Sequence, residues 1–205
     1  LFIGLFGVVL SLVFGTILGI VSGYYGGIVD EISQRTIEVV RAFPSIPLWM
    51  ALSAAVPAGW SQTKTYLAVT VILSLVGWTW LARQLRGQVL ALRQSDYVMA
   101  ARLAGASDAR IIFKHLIPAT LGQIIVVATL SLPSMILAET ALSFLGLGLR
   151  PPITSWGVLI QQAQNLESLA LYPWVFTPAI FIVVVILAFS FLGDGLRDAA
   201  DPYTI

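Results

Sequence analysis

Long uncharged apolar runs, separated by short charged stretches, set the pattern of this chain. Leu1 to Gly23 carries no charge at all, and a second run from near Ile37 to near Val56 admits Glu38 and Arg41 only in its first turns. Tyr66 to Ala82 is shorter and finishes in Trp78 and Trp80, residues suited to the membrane–water interface. Pro118 to Ala138 is uncharged between Lys114 and Glu139, and Tyr172 to Leu192 is uncharged between Glu167 and Asp194. A hydrocarbon core of about 30 Å takes roughly 20 residues of helix. Backbone groups inside it find no water to bond, so the runs must be helical. The pattern predicts an all-α, polytopic membrane bundle with five spans.

Composition agrees. Hydrophobic residues make up 58% of the 205 residues and charged residues 10%, with a mean hydropathy of +0.92. This is the membrane class, and one membrane domain (1–205) accounts for the length. The lack of Cys excludes disulfides, Cys-ligated zinc and thiol nucleophiles. The chain begins inside an apolar run with neither Met nor a charged leader, which reads as a truncated start and not as a signal peptide.

The cations are not spread evenly. Arg83, Arg86, Arg93, Arg102, Arg110 and Lys114 form a cluster of six among eleven Lys and Arg. Placing that stretch in the cytoplasm also brings Arg35, Arg41 and Arg197 inside and leaves only Lys64 and Arg150 outside, the expected bias. The charged stretch lacks Pro and favours helix. Tyr97, Ala100, Ala101 and Ala104 share a small apolar face by their spacing, with Arg93 and Arg102 off it. Ser107 and Asp108 suit the cap of a second short helix running towards His115, and Pro118 opens the next span. A small-residue face among charges suits docking into a partner's groove. The alternative is a basic amphipathic helix lying on anionic lipid, whose buried face would carry Trp, Phe or Leu.

Other features are candidates for packing or passage. Ser11, Gly15, Gly19 and Gly23 recur at every fourth position, a spacing that lets membrane helices approach closely. Pro44 and Pro47 in "AFPSIP" predict a kinked or broken second span, of the kind that lines transport sites or merely bends a helix. Glu139, an ionisable group near the outer end of the fourth span, is a candidate for gating or the pathway, or is solvated or paired with Arg150. The apolar "LSFLGLGL" after it, closed by Pro151 and Pro152, reads as an external re-entrant or interfacial element with Trp156 as a headgroup-level anchor.

Catalysis has little support. "PAGWSQTKT" places Thr63 where a phosphate loop needs Gly before its Lys. His115 is the only His and lacks a carboxylate pair at ligand spacing, so no metal site is expected; it is placed at the cytoplasmic end of a helix, bonding a backbone carbonyl.

"YVMAARLAGASDARIIFKHLIP" resembles the cytoplasmic EAA loop of permease subunits in bacterial ABC importers, with Ala100, Ala101, Gly105 and Pro118 at its defining positions. Met99 replaces the leading acid, and His115 stands where many members have Ile. "ETALSFLGLGLRPPITSWGVLI" and "LGDGLRDAADPY", with "SGYYGGIVDE" and "RAFPSIPL", are similar to the C-type permeases of the dipeptide, oligopeptide and nickel branch. The resemblance covers essentially the whole chain, less the family's N-terminal span.

What the resemblance implies is a non-catalytic subunit with the type I permease fold in the bacterial inner membrane. It would form half of a pathway for peptides or related small solutes. Its partners would be a homologous second permease, two cytoplasmic ATPases that carry ATP and Mg, and an extracytoplasmic binding protein. Coupling would use the loop at about 83–117 through Tyr97, Ala100, Ala101, Arg102, Gly105, His115 and Pro118. The external loop would span about 139–171. The cargo is not named by the sequence. The competing readings are a secondary transporter or a membrane scaffold working without ATPases.

Overall fold

The computed structural model describes residues 2–57, 59–164 and 170–200, without the side chains of Phe2, Ile3 and Ala200. Glu167, part of the external loop and the last residues of "LGDGLRDAADPY" lie outside the described residues. In chain order the helices are α1 (Phe2–Tyr25), α2 (Gly27–Ala42), α3 (Ser45–Ala54), α4 (Gln62–Leu92), α5 (Asp96–Leu103), α6 (Asp108–Ile111), α7 (Ile117–Phe144), α8 (Trp156–Gln162) and α9 (Thr177–Ala200). A π turn, Ile112–Leu116, joins α6 to α7, and a 3-10 turn, Pro173–Phe176, leads into α9.

The bundle is organised on the small-residue face of α1. Side chains built on Gly15, Gly19 and Gly23 would stand 2.9, 2.7 and 2.9 Å from the carbonyl oxygens of Trp78, Ala82 and Arg86. Only glycine lets the two backbones meet this closely. One turn further out, Ser11 Oγ donates to the Ser74 carbonyl at 3.3 Å. The paired numbers rise together, so α1 and α4 run parallel. The chain between them must therefore return to the opposite end of the bundle.

That return differs from the expected single span. Four helices among the described residues are long and apolar enough to cross a membrane: Gly4–Tyr25, Gln62–Leu92, Asp108–Phe144 and Pro173–Ala199. The second expected span is instead divided into α2 and α3. Phe43 is extended (φ −86°, ψ 132°) because the following proline disfavours helix there. Pro44 then caps α3 and Pro47 lies in its first turn, where a missing N–H leaves no bond unmade. At 16 and 10 residues, α2 and α3 are about 24 and 15 Å long, neither enough to span alone.

The third span also departs from expectation. It continues to Leu92, 31 residues or about 46 Å, so Arg83 and Arg86 belong to α4 and not to a loop. Trp78 and Trp80 consequently lie within the helix and not at its end, and Arg41 stacks over the Trp80 ring at 5.7 Å.

Two apolar cores fill the bundle. The first joins Val8, Val69, Leu73, Met135 and Leu142 with Leu149 and Val158 of the segment after α7. The second joins Ile20, Leu81, Leu85 and Val89 with Val98 of α5 and Ile111 of α6. α9 touches α7 at Gly193, whose missing side chain admits Leu130, while Phe181, Val184 and Phe191 remain exposed in the manner of a lipid-facing surface.

Gly19→Val should lower the thermal stability of the detergent-solubilised protein by about 1–3 kcal/mol, the usual range for overpacking. Gly87, also in α4 but with open space around it, should behave oppositely. Gly87→Ala is expected to stabilise by up to about 1 kcal/mol through helix propensity. Thermal melts followed by circular dichroism compare the two.

Candidate functional site: a docking loop latched to the first helix

The charged stretch after α4 folds as two short helices joined by a tight turn. α5 ends in a Schellman arrangement: the Ala106 N–H donates to the Ala101 carbonyl and the Gly105 N–H to that of Arg102, both at 3.0 Å. Gly105 has φ +80°, a left-handed conformation that costs other residues about 1–2 kcal/mol. Ser107 caps α6, its hydroxyl accepting from the Arg110 N–H at 3.4 Å. The chain does not pause at Pro118. Proline cannot donate a hydrogen bond, and its ring crowds the preceding turn. The backbone widens there instead, the Ile117 N–H donating to the Ile112 carbonyl.

Most of α5 projects from the bundle. Val98 is its one buried residue, seated in the second core with Ile111. The exposed surface is larger and more apolar than an alanine face: Leu103 is 89% exposed, Phe113 71%, Met99 52% and Tyr97 43%. Ala100 and Ala104 are exposed and Ala101 is half-buried. Met99, where the resembling loops carry an acid, thus extends an apolar patch with Leu103 one turn on. His115 is half-buried and faces the Tyr97 ring, centroids 6.1 Å apart, in place of the expected carbonyl bond. Arg102 points back to the bundle.

Its target is Tyr24, at the end of α1. The Tyr24 hydroxyl donates to Asp108 Oδ1 at 2.7 Å and accepts from Arg102 Nη2 at 3.4 Å. The Arg102 guanidinium also lies 5.7 Å from the Tyr24 ring centroid. Arg93 Nη1 donates to the carbonyls of Gly23 and Tyr24, each at 3.1 Å, placing positive charge on the negative end of α1. Arg86 binds Asp30 of α2 through two bonds of 2.6 Å, the strong two-point geometry of guanidinium and carboxylate. Arg86 holds the Asp30 carboxyl below the usual carboxylate range. One end of the bundle is therefore tied to α5 and α6 through Tyr24, Arg102 and Asp108, and Arg93 ties the ends of α1 and α4. Sequence reasoning missed Tyr24 as the partner of Asp108 and Arg102, and Asp30 as the partner of Arg86 on α4. The available signal was an acid on α2 and another within the basic stretch, in a chain with few charges.

The other candidates lie apart. Pro44 and Pro47 mark the α2–α3 break. Glu139 is only 8% exposed and accepts from the Ser143 hydroxyl at 2.7 Å. It is not paired with Arg150, whose Nε donates to the Gly146 carbonyl at 3.0 Å. Trp156 is not a free-standing anchor. It opens α8, which packs so closely on α7 that a side chain on Gly157 would meet the Thr140 carbonyl at 2.5 Å.

Parallel backbone-packed helices, a broken return helix and a latched loop make up the fold, and the chain belongs to the family of binding-protein-dependent transport system inner membrane components, whose pattern matches residues 15–204. It is 40% identical to the oligopeptide transport system permease protein OppC of Bacillus subtilis over 98% of this chain and 64% of that one. It is 41% identical to the dipeptide permease DppC of the same organism, over 98% and 61%. A glutathione transport permease, GsiD of Pectobacterium atrosepticum, is 37% identical over 97% and 64%. The chain thus spans less than two thirds of the length of these relatives. Among solved structures the fold matches a chain of the MetNI methionine ABC transporter in an inward-facing conformation. There the TM-score is 0.67 at 19% identity, covering 98% of this chain and 94% of that one.

Tyr24→Phe keeps the ring but removes the hydroxyl that joins Asp108 and Arg102. Amide exchange across residues 96–111 should accelerate about tenfold, the worth of a hydrogen bond to a charged group, with α1 unchanged. Unaltered exchange would show that Val98 and Ile111 alone hold the loop. The Asp30 carboxyl, with its folded titration depressed, contributes stability that is complete above the ordinary carboxylate value near pH 4 and is lost as pH falls through the folded value. Acid melts of Asp30→Asn should lack that step.

Proposed function

We propose that this chain is the permease subunit of an ATP-driven importer in the bacterial cytoplasmic membrane, which it crosses several times. It forms half of a pathway for dipeptides, oligopeptides or related small solutes. The observation that carries this reading is the anchoring of the loop: Val98 and Ile111 are fixed in the core while Met99, Leu103 and Phe113 stand exposed. A lipid-lying helix would need no such anchoring, whereas a lever for a partner does. The peptide-transport names of the relatives support the cargo class.

In this reading the chain binds no nucleotide. Two cytoplasmic ATPases hold ATP and Mg, each docking one such loop, here through α5, the Gly105 turn and α6. A homologous second permease completes the pathway, and an extracytoplasmic binding protein delivers cargo to it. Closure of the ATPase pair moves the loop as a body. Tyr24, Arg93 and Arg102 carry that displacement to α1, and the continuous helix through Pro118 carries it to α7. The bundle exchanges between inward-open and outward-open arrangements, biased by nucleotide on one side and loaded receptor on the other.

The chain has no Cys, so Ala101→Cys offers a single thiol here. In native membranes it should crosslink to the ATPase, with a yield that changes on adding ATP. No crosslink from correctly inserted protein would place the loop on lipid and remove the coupling assignment. Gly105→Glu should reach the membrane normally yet abolish uptake, because it breaks the left-handed turn and puts a charge in the docking surface.

A further inference from the structure

A cavity of about 990 Å³ lies against α3, α4 and α7, closed on one side by α1 and reached by Arg197 of α9. It is large enough for a short peptide. Among the described residues its wall contains no carboxylate. Its polar groups include the amides of Gln84, Gln88 and Gln123 and the hydroxyls of Ser131 and Ser134. Such a wall has little charge with which to discriminate among cargo side chains.

Gln84 on α4 and Gln123 on α7 meet at this wall, Gln123 Nε2 donating to Gln84 Oε1 at 2.6 Å. That bond uses one donor and one acceptor. The Gln84 NH₂ and the Gln123 carbonyl are left to bond elsewhere. Both side chains are half-buried and border the cavity instead of the packed core. A peptide unit offers the matching pair, a carbonyl and an N–H on one short rigid group.

We propose that the Gln84–Gln123 pair is a binding contact for the main chain of peptide cargo, with the Gln84 NH₂ donating to a cargo carbonyl and the Gln123 carbonyl accepting from a cargo N–H. The contact reads the feature common to all peptides and ignores their side chains. It rests on the reading of this chain as a peptide importer subunit and adds to it the place and chemistry of a recognition point. The competing role is a plain interhelical tie, since amide side chains also join helices within membranes.

The test compares uptake of trialanine with its ester analogue, in which oxygen replaces the N–H of the second linkage, in cells carrying the complete importer. Any discrimination by the receptor is common to all variants and cancels in the ratio. Gln123→Met should reduce the preference for the amide by about fivefold, the contribution of one neutral hydrogen bond. Gln84→Met should slow both compounds alike and leave the ratio standing. An unchanged preference in Gln123→Met, at normal membrane levels, would reduce the pair to a tie between helices and overturn the proposal. If that variant fails to accumulate, Ser134→Cys in inside-out vesicles decides: saturating trialanine should protect the thiol from a water-soluble maleimide, and unprotected labelling would overturn the proposal. Failure of the wild-type importer to take up either compound would instead remove the peptide-importer reading, and this contact with it.

Discussion

Where Gly15, Gly19 and Gly23 would carry side chains, the backbone of α4 is already present. This contact forces α1 and α4 to lie side by side in the same direction, and the remaining architecture answers to that direction. A parallel pair needs a return segment, which α2 and α3 provide. It also brings the end of α1 beside the last turns of α4, where Arg93 can reach the free carbonyls of Gly23 and Tyr24. Without the close contact neither the return nor the latch has a fixed geometry.

The two ends of the bundle are held by different means. At the end near Glu139 the segment after α7 folds back through Leu149 and Val158 into the core, with Ser143 serving both Glu139 and the Leu149 N–H. At the loop end, Val98 and Ile111 enter the second core, and charges and a phenol add bonds of fixed direction. Apolar packing is insensitive to direction, whereas the Asp30–Arg86 pair and the Tyr24 hub hold only in one geometry. A loop tied in this way has its orientation set by polar contacts as well as by Val98 and Ile111 in the core.

Local chemistry was legible in the sequence, and distant pairing was not. The small-residue face, the turn at Gly105, the Ser107 cap and the break at Pro44 are each set by residues within a few positions, so spacing alone finds them. The length of α4 was obscured because Arg83 and Arg86 look like the end of a span, although a helix can run on past the bilayer with its charges paired outside. Tyr24 and Asp108 are separated by 84 positions, and hydropathy carries no record of that meeting. Glu139 was visible as an anomaly, but its partner lies one turn along its own helix and not at the nearest cation. The two short helices of the charged stretch were legible from its composition and caps, while its exposed apolar residues, Met99, Leu103 and Phe113, were overlooked beside the alanines.

From Asp108 to Phe144 the chain forms one unbroken helical path of 37 residues, about 55 Å along its axis. It has two weak joints: the widened turn before Pro118, and Pro133, which leaves the Thr129 carbonyl without its helical donor. A rod of that length magnifies small angles, a tilt of about 5° at one end displacing the other by about 5 Å. The joints decide how much of the tilt arrives. The far end carries Glu139, Ser143 and the packed turn beyond them, so a small rotation at the α6 end is delivered there as a large displacement.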